Sequence, residues 1–136
     1  MSAPDQGFRV MIKSDADIVV ARQNGRALAL ELGFAGSSPT VIAAAISEVA
    51  RNIVDHAREG EIILTRVQQN GRVGLQIIAR DAGPGIMDID QAMQYGYSSG
   101  KGLGVGLPGV KMLMDDFEIR SKAGEGTEVT VRKWLS

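Results

Sequence analysis

Residues 81–107 read D-A-G-P-G-I-M-D-I-D-Q-A-M-Q-Y-G-Y-S-S-G-K-G-L-G-V-G-L. The stretch opens on an acidic residue, Asp81, and turns at once on Gly83 and Gly85. About halfway along, Tyr95-Gly96-Tyr97-Ser98-Ser99 interrupts any regular pattern, and Gly100, Gly102, Gly104 and Gly106 then fall at every second position. Each glycine loses more backbone freedom on folding than any other residue, about 0.5–1 kcal/mol relative to Ala inside a helix or strand. So dense a run is hard to explain by folding alone and reads as a wrap for a phosphate-bearing ligand. A ligand-free surface loop is the competing reading.

The residues before it form a strand that delivers Asp81. Arg72-Val73-Gly74-Leu75-Gln76-Ile77-Ile78-Ala79-Arg80-Asp81 is preceded by a second apolar run, Glu61 to Val67. Gln69-Asn70-Gly71 joins them, and Asn-Gly between two apolar runs is the strongest short hairpin signal. After the glycines, Leu107 to Asp115 reads as a helix with Val110, Leu113 and Met114 on its apolar face. Two last strands, 116–122 and 127–135, flank a hairpin at Gly124-Glu125-Gly126. At the other end of the chain, Phe8 to Lys13 alternates as a half-buried strand does. Ser14 or Asp15 then caps a helix that Gly33 stops. Ser38 reads as the next N-cap with Pro39 first in the helix, which runs to about Ala57, with Gly60 ending it. About five strands and three main helices, with two hairpins, predict an α+β fold: a two-layer sandwich with helices on one face of the sheet.

Composition sets bounds. At 136 residues the size prior is one domain, and 44% hydrophobic with 23% charged residues describes an ordinary globular chain. No apolar run is long enough to span a bilayer and the N-terminus is not a signal peptide, so no membrane association is expected. The absence of cysteine excludes disulfides and fits a cytoplasmic setting. A net charge of −1 with dispersed basic residues and 4% aromatics argues against nucleic-acid binding.

Short phosphate motifs do not fit. Gly104-Val105-Gly106-Leu107-Pro108-Gly109 matches the dinucleotide fingerprint but follows polar loop, where that fingerprint must follow a buried strand. Gly96 to Lys101 resembles a Walker loop, but is one residue short and has Gly102 in place of Ser or Thr. What survives is the physics: glycine amides leading into a helix start make an anion nest. Asp81, at the end of a buried strand, needs a partner. An adenine amino group would supply one, whereas guanine would present an acceptor; a turn-forming aspartate is the alternative. On the second helix, Glu48, Asn52 and His56 stack at i, i+4, i+8 among apolar neighbours. Asn52 offers an oxygen suited to Mg²⁺, Glu48 is placed to take a proton from a nucleophile, and His56 reads as a helix-end donor. A solvated face is the plain alternative for the stripe.

In order along the chain come Glu48 and Asn52, then Asp81, Gly83 and Gly85, then Gly102, Gly104, Gly106 and Leu107, and finally Gly124, Gly126 and Thr127. This order resembles the ATP-binding domain shared by gyrase, the heat-shock chaperone, histidine kinases and mismatch-repair proteins, the Bergerat or GHKL fold. The resemblance covers essentially the whole chain, 1–136, as one domain and implies a mixed, mostly antiparallel sheet. Within that superfamily, the length and the residues at 53–57, 94–100 and 104–111 resemble the small serine/threonine kinases of bacterial partner-switching systems, on the stressosome switch-kinase branch. The resemblance implies Mg-ATP as cofactor, STAS-domain antagonist and scaffold proteins as substrates, and a PPM-type phosphatase activated by direct binding. The neighbouring anti-sigma kinases bind a sigma factor instead, and an ATPase switch without protein substrate is a further alternative. The oligomeric state stays open.

Carried over by motif, Asp81 reads the adenine amino group with Thr127 nearby, beside Gly83 and Gly85. Asn52 completes the Mg²⁺ site and Glu48 is the catalytic proton acceptor. The amides of Gly102, Leu103, Gly104, Val105 and Gly106, with Leu107 behind them, hold the phosphates. Lys101 neutralises γ-phosphate charge, or is an exposed loop lysine. Residues 86–101 form a lid, or a small satellite apolar cluster.

Overall fold

The computed structural model describes residues 7–57, 59–83, 106–122 and 124–135. In chain order these form β1 (Phe8–Ile12), α1 (Asp15–Leu32), α2 (Ser38–His56), β2 (Gly60–Gln69), β3 (Arg72–Asp81), α3 (Gly106–Leu113), β4 (Asp116–Lys122) and β5 (Gly126–Trp134). The strands lie in the order β1-β2-β3-β5-β4. Every pairing is antiparallel, so the expected mixed sheet contains no parallel pair among the described residues. The β2–β3 turn has Asn70 at φ 53° and Gly71 at φ 79°. Positive φ at both central residues matches the twist of the flanking strands, which is why Asn-Gly closes this hairpin.

The period-2 pattern sends one side of each strand under the helices. Ile62 and Leu64 of β2, Leu75 and Ile77 of β3, and Val129 and Val131 of β5 are all buried. From above, α2 contributes Ile42, Ile46, Val49 and Ile53, and α1 contributes Ile18, Ala21 and Ala29. Each such Ile, Leu or Val side chain stabilises the fold by about 1.5–3 kcal/mol on full burial. The two helices approach closely because residue 25 is glycine: a Cβ there would run into Ile46 Cδ1.

The other side of the sheet has no helix over it among the described residues and is laced with ion pairs. Glu61 meets Arg9 at 3.3 Å and Arg80 at 3.4 Å, and Arg80 meets Glu128 at 2.9 Å. At the far end from Asp81, the half-turn after α3 is tied to β5. The Trp134 indole N–H donates to Asp116 at 2.8 Å, its backbone N–H donates to Asp115 at 2.8 Å, and the Arg72 guanidinium sits 4.8 Å from the ring centroid.

Helix ends depart from expectation in detail. Ser14 is the N-cap of α1, but its hydroxyl caps no backbone amide. Asp17 instead ties down the chain entering the helix, accepting from the Lys13 N–H at 2.8 Å and from the Ser14 hydroxyl at 3.4 Å. The α2 cap is Ser37 rather than Ser38, so Pro39 lies one residue further in, still within the turn whose amides have no helical partner. Gly33 stops α1 as expected, at φ 104°. Gly60 does not end α2: the helix closes at His56 and Gly60 begins β2.

Candidate functional site

Four strand ends meet at one rim of the sheet. Asp81 is the register partner of Gly60 on one side and of Thr127 on the other, and Thr127 is the partner of Ser121. Asp81 and Thr127 share the parity of Ala79 and Val129, so this polar row continues the helix-covered face. Thr127 is only 7% exposed.

The rim is shaped by missing side chains. Gly126, at φ 98°, lies so close to the Asp81 carbonyl that a Cβ would collide with it. A Cβ on Gly83 would come 2.5 Å from that of Ala57, and one on Gly60 would come 3.0 Å from Ile53 Cγ2. The last turns of α2 are therefore pressed against the end of β3, and Asn52 sits one residue before Ile53. Glu48, one turn earlier, is buried at 7% exposure, whereas Asn52 and His56 are half-buried. Among the described residues, no buried side-chain nitrogen or oxygen lacks a hydrogen-bond partner.

The two readings of Asp81 turn out to be compatible. Its Oδ1 accepts from the Gly83 N–H at 2.9 Å, which is the turn-forming role. Its Oδ2 has no partner among the described residues and stays available to a donor. A cleft of about 830 Å³ opens here, lined by Gly60, Asp81, Ala82, Ser121, Gly126 and Thr127 among others, and it wraps the sheet end as far as Arg80 and Arg120.

α3 packs against α2 and begins at Gly106, whose φ is 55°. Leu107 is 4% exposed and belongs to the core, so its side chain anchors the helix start and only its backbone is left for a ligand. Gly85, Lys101, Gly102, Leu103, Gly104, Val105 and the lid at 86–101 lie outside the described residues. Ser121 was missed at the level of sequence. Its Oγ donates to the Gly126 carbonyl at 3.1 Å and lies 2.8 Å from Thr127 Oγ1. The available signal was its parity: it follows Phe117 and Ile119 on the inward side of β4, a polar residue at a core-facing position.

An acidic strand end lining a cleft at the rim of the sheet, beside a covering helix that buries a glutamate, describes a nucleotide-handling α+β domain, and residues 13–133 match the histidine kinase-like ATPase domain. The chain belongs to that family, and within it to the protein kinases. It is similar to the serine/threonine-protein kinase RsbT of Bacillus subtilis, with 53% identity over 93% of this chain and 95% of the relative. It is more distantly similar to the anti-sigma F factor of Clostridium beijerinckii, 35% identical over 65% of this chain and 66% of that one. Among solved structures, the mycobacterial sensor histidine kinase MprB aligns with a TM-score of 0.56 over 94% of this chain and 97% of that one. At 14% identity that likeness shows the fold alone.

Proposed function

We propose that the chain is a partner-switching serine/threonine kinase that transfers the γ-phosphoryl group of Mg-ATP to STAS-domain antagonist or scaffold proteins of a stress-signalling complex. Released from them, it binds and activates a PPM-type phosphatase. The observation that carries this reading is the Asp81–Thr127 register pair at the mouth of the cleft, on a chain 53% identical to a serine/threonine-protein kinase over nearly its full length.

In this mechanism Asp81 Oδ2 accepts from the adenine amino group while Oδ1 keeps the loop in shape. Thr127 faces the same edge of the base. Among the described residues, no cluster of three acidic or histidine side chains could hold a metal alone. The donor set therefore suits an ion held largely by phosphate oxygens, with Asn52 adding a neutral oxygen. Mg²⁺ would supply charge neutralisation at the transferring group. The amides of residues 102–106, with the start of α3 behind them, hold phosphate oxygens, and Lys101 adds positive charge. Glu48 accepts the proton of the partner's Ser or Thr hydroxyl as that oxygen bonds to the γ-phosphorus and the bond from phosphorus to the departing ADP oxygen breaks. Phosphoryl transfer depends mainly on positioning and charge neutralisation, so docking of the partner sets the rate.

The anti-sigma F relatives support a second reading, direct binding of a sigma factor. Incubation with γ-labelled ATP and purified STAS partner, PPM phosphatase and sigma factor separates them. Label on the STAS partner and co-purification of the phosphatase support the switch kinase. Co-purification of the sigma factor supports the second reading, and free phosphate alone supports a bare ATPase switch.

A further inference from the structure

The sheet ends in two edge strands, and they are built differently. β4 closes one side, and its row on the uncovered face, Asp116, Glu118 and Arg120, is charged at every position. Charge along an edge discourages a further strand from pairing there. β1 closes the other side and, among the described residues, pairs with β2 alone. Its Val10 and Ile12 point under the helices and are buried. Phe8 is 50% exposed, and Met11, on the uncovered face with Arg9, is 51% exposed. Of the six large apolar side chains exposed among the described residues, five belong to β1 and to α1, which packs on it: Phe8, Met11, Val19, Val20 and Leu30. Apolar side chains scattered singly need no explanation, but their concentration on one side of a molecule marks a contact surface.

We infer that β1 is a docking edge that takes one extended segment of a protein partner as a sixth strand, and that this segment carries acidic residues among apolar ones. An added strand gains affinity from main-chain hydrogen bonds along the edge and specificity from its alternate side chains. The pleat fixes which side chains it needs. Phe8, Val10 and Ile12 lie on the helix-covered face, so the residues facing them are apolar. Met11 sits between Arg9 and Lys13 in the chain: the residues facing those two are acidic, and the one facing Met11 is apolar. Arg9 keeps its side chain 63% exposed despite the contact with Glu61, and Lys13 is exposed. A second copy of this chain does not meet the requirement, because residues 7–13 contain no carboxylate side chain. The register gives the edge a functional position. Ile12 is the partner of Gly60 and Gly60 of Asp81, and Met11 lines the cleft. The end of an added strand therefore lies three strand spacings from Asp81, about 14 Å. One edge holds one strand, so two partners that use it exclude each other. This rests on the proposal above that the chain works through protein partners, and it names the surface they use.

The probe is a capped, labelled peptide, Val-Glu-Val-Leu-Val-Glu-Val, whose pattern reads the same in either direction. Two control peptides keep its length. One has Lys in place of both Glu, and the other carries N-methyl groups on alternate backbone nitrogens, which removes the donors that strand pairing needs. Binding is read by anisotropy of the label and by amide exchange of residues 8–12. The acidic peptide should bind the unaltered protein and slow exchange in β1. The Lys peptide should bind about tenfold more weakly, because opposite charges across the strands become like charges. The N-methylated peptide should not bind. Met11→Glu, at an exposed position, should weaken the acidic peptide about tenfold, and Arg9→Glu should erase the preference between the acidic and Lys peptides. Equal binding of the N-methylated peptide, or binding that leaves exchange in β1 unchanged, overturns the inference, as does failure of all three peptides to bind. Slowing of β1 exchange with rising concentration of the protein alone assigns the edge to a second copy and overturns it as well. Phosphoryl transfer is measured separately: a protein that binds the acidic peptide but labels no partner loses the kinase mechanism and keeps the docking edge.

Discussion

Asp81 divides its two oxygens between a turn and a ligand, and that division makes it testable. In Asp81→Asn the side-chain carbonyl can still accept from the Gly83 N–H, so the loop is retained. The second oxygen becomes an amide that cannot accept from an amino group. ATP affinity should fall by about one to two orders of magnitude, the usual value of a charge-assisted hydrogen bond. Calorimetric titration reads this directly, and unchanged affinity would remove Asp81 from base recognition. Glu48 is tested by the opposite split. Glu48→Gln keeps the buried shape and removes the proton acceptor. Phosphoryl transfer to a partner should drop about 10²–10⁴-fold with nucleotide affinity preserved. Transfer at the ordinary rate would show that Glu48 is structural.

At the scale of elements, the two hairpins differ in what their glycines do. A Cβ at Gly71 meets nothing within 4 Å, so Gly71→Ala carries only the cost of a positive φ, about 1 kcal/mol. Gly126 combines φ 98° with backbone contact against Asp81 and Ala82. Gly126→Ala should therefore cost more than Gly71→Ala, roughly 2 kcal/mol or above, and should also disturb the Asp81 loop. Denaturant midpoints of the two variants give the comparison; equal losses would mean that the rim is not held by that contact. Much of this was legible in the sequence, for physical reasons. Alternation locates strands, Asn-Gly locates the first turn, and Asp81 stands out because a carboxylate ends an apolar run. The helix caps were less legible, because Ser37 and Ser38 are chemically equivalent and only backbone angles choose between them. Gly60 was misplaced for a related reason: the close approach of Arg80, Asp81 and Ile53 that requires a glycine there comes from two other elements.

For the whole molecule, what the sequence left open was which strands neighbour one another. Local patterns announce the β2–β3 and β4–β5 hairpins, but nothing local places β5 between β3 and β4. That insertion is what brings Thr127 beside Asp81, across 46 positions of chain, and with it Ser121. The row assembles only in the folded protein, so a ligand held there stabilises the whole fold. Mg-ATP at a hundred times its dissociation constant should add about 2.7 kcal/mol, seen as a rise of several degrees in the thermal midpoint. Asp81→Asn should lose about half of that rise or more at the same concentration, and an undiminished rise would place the ligand elsewhere. Charge on the uncovered face should matter far less. Glu61→Gln, which removes a carboxylate from two partly exposed pairs, should change stability by no more than about 1 kcal/mol.

Trp134 is the only tryptophan in the chain. It lies seven register steps along β5 from Thr127, about 23 Å at the rise of an extended strand. Its ring is held by Asp116 and Arg72, and it is 8% exposed, so its emission is set by the intact far end of the sheet. Intrinsic fluorescence thus gives an optical channel for global unfolding that nucleotide at the other rim leaves dark. Paired with a labelled nucleotide, it lets occupancy and melting be followed in one cuvette at separate wavelengths.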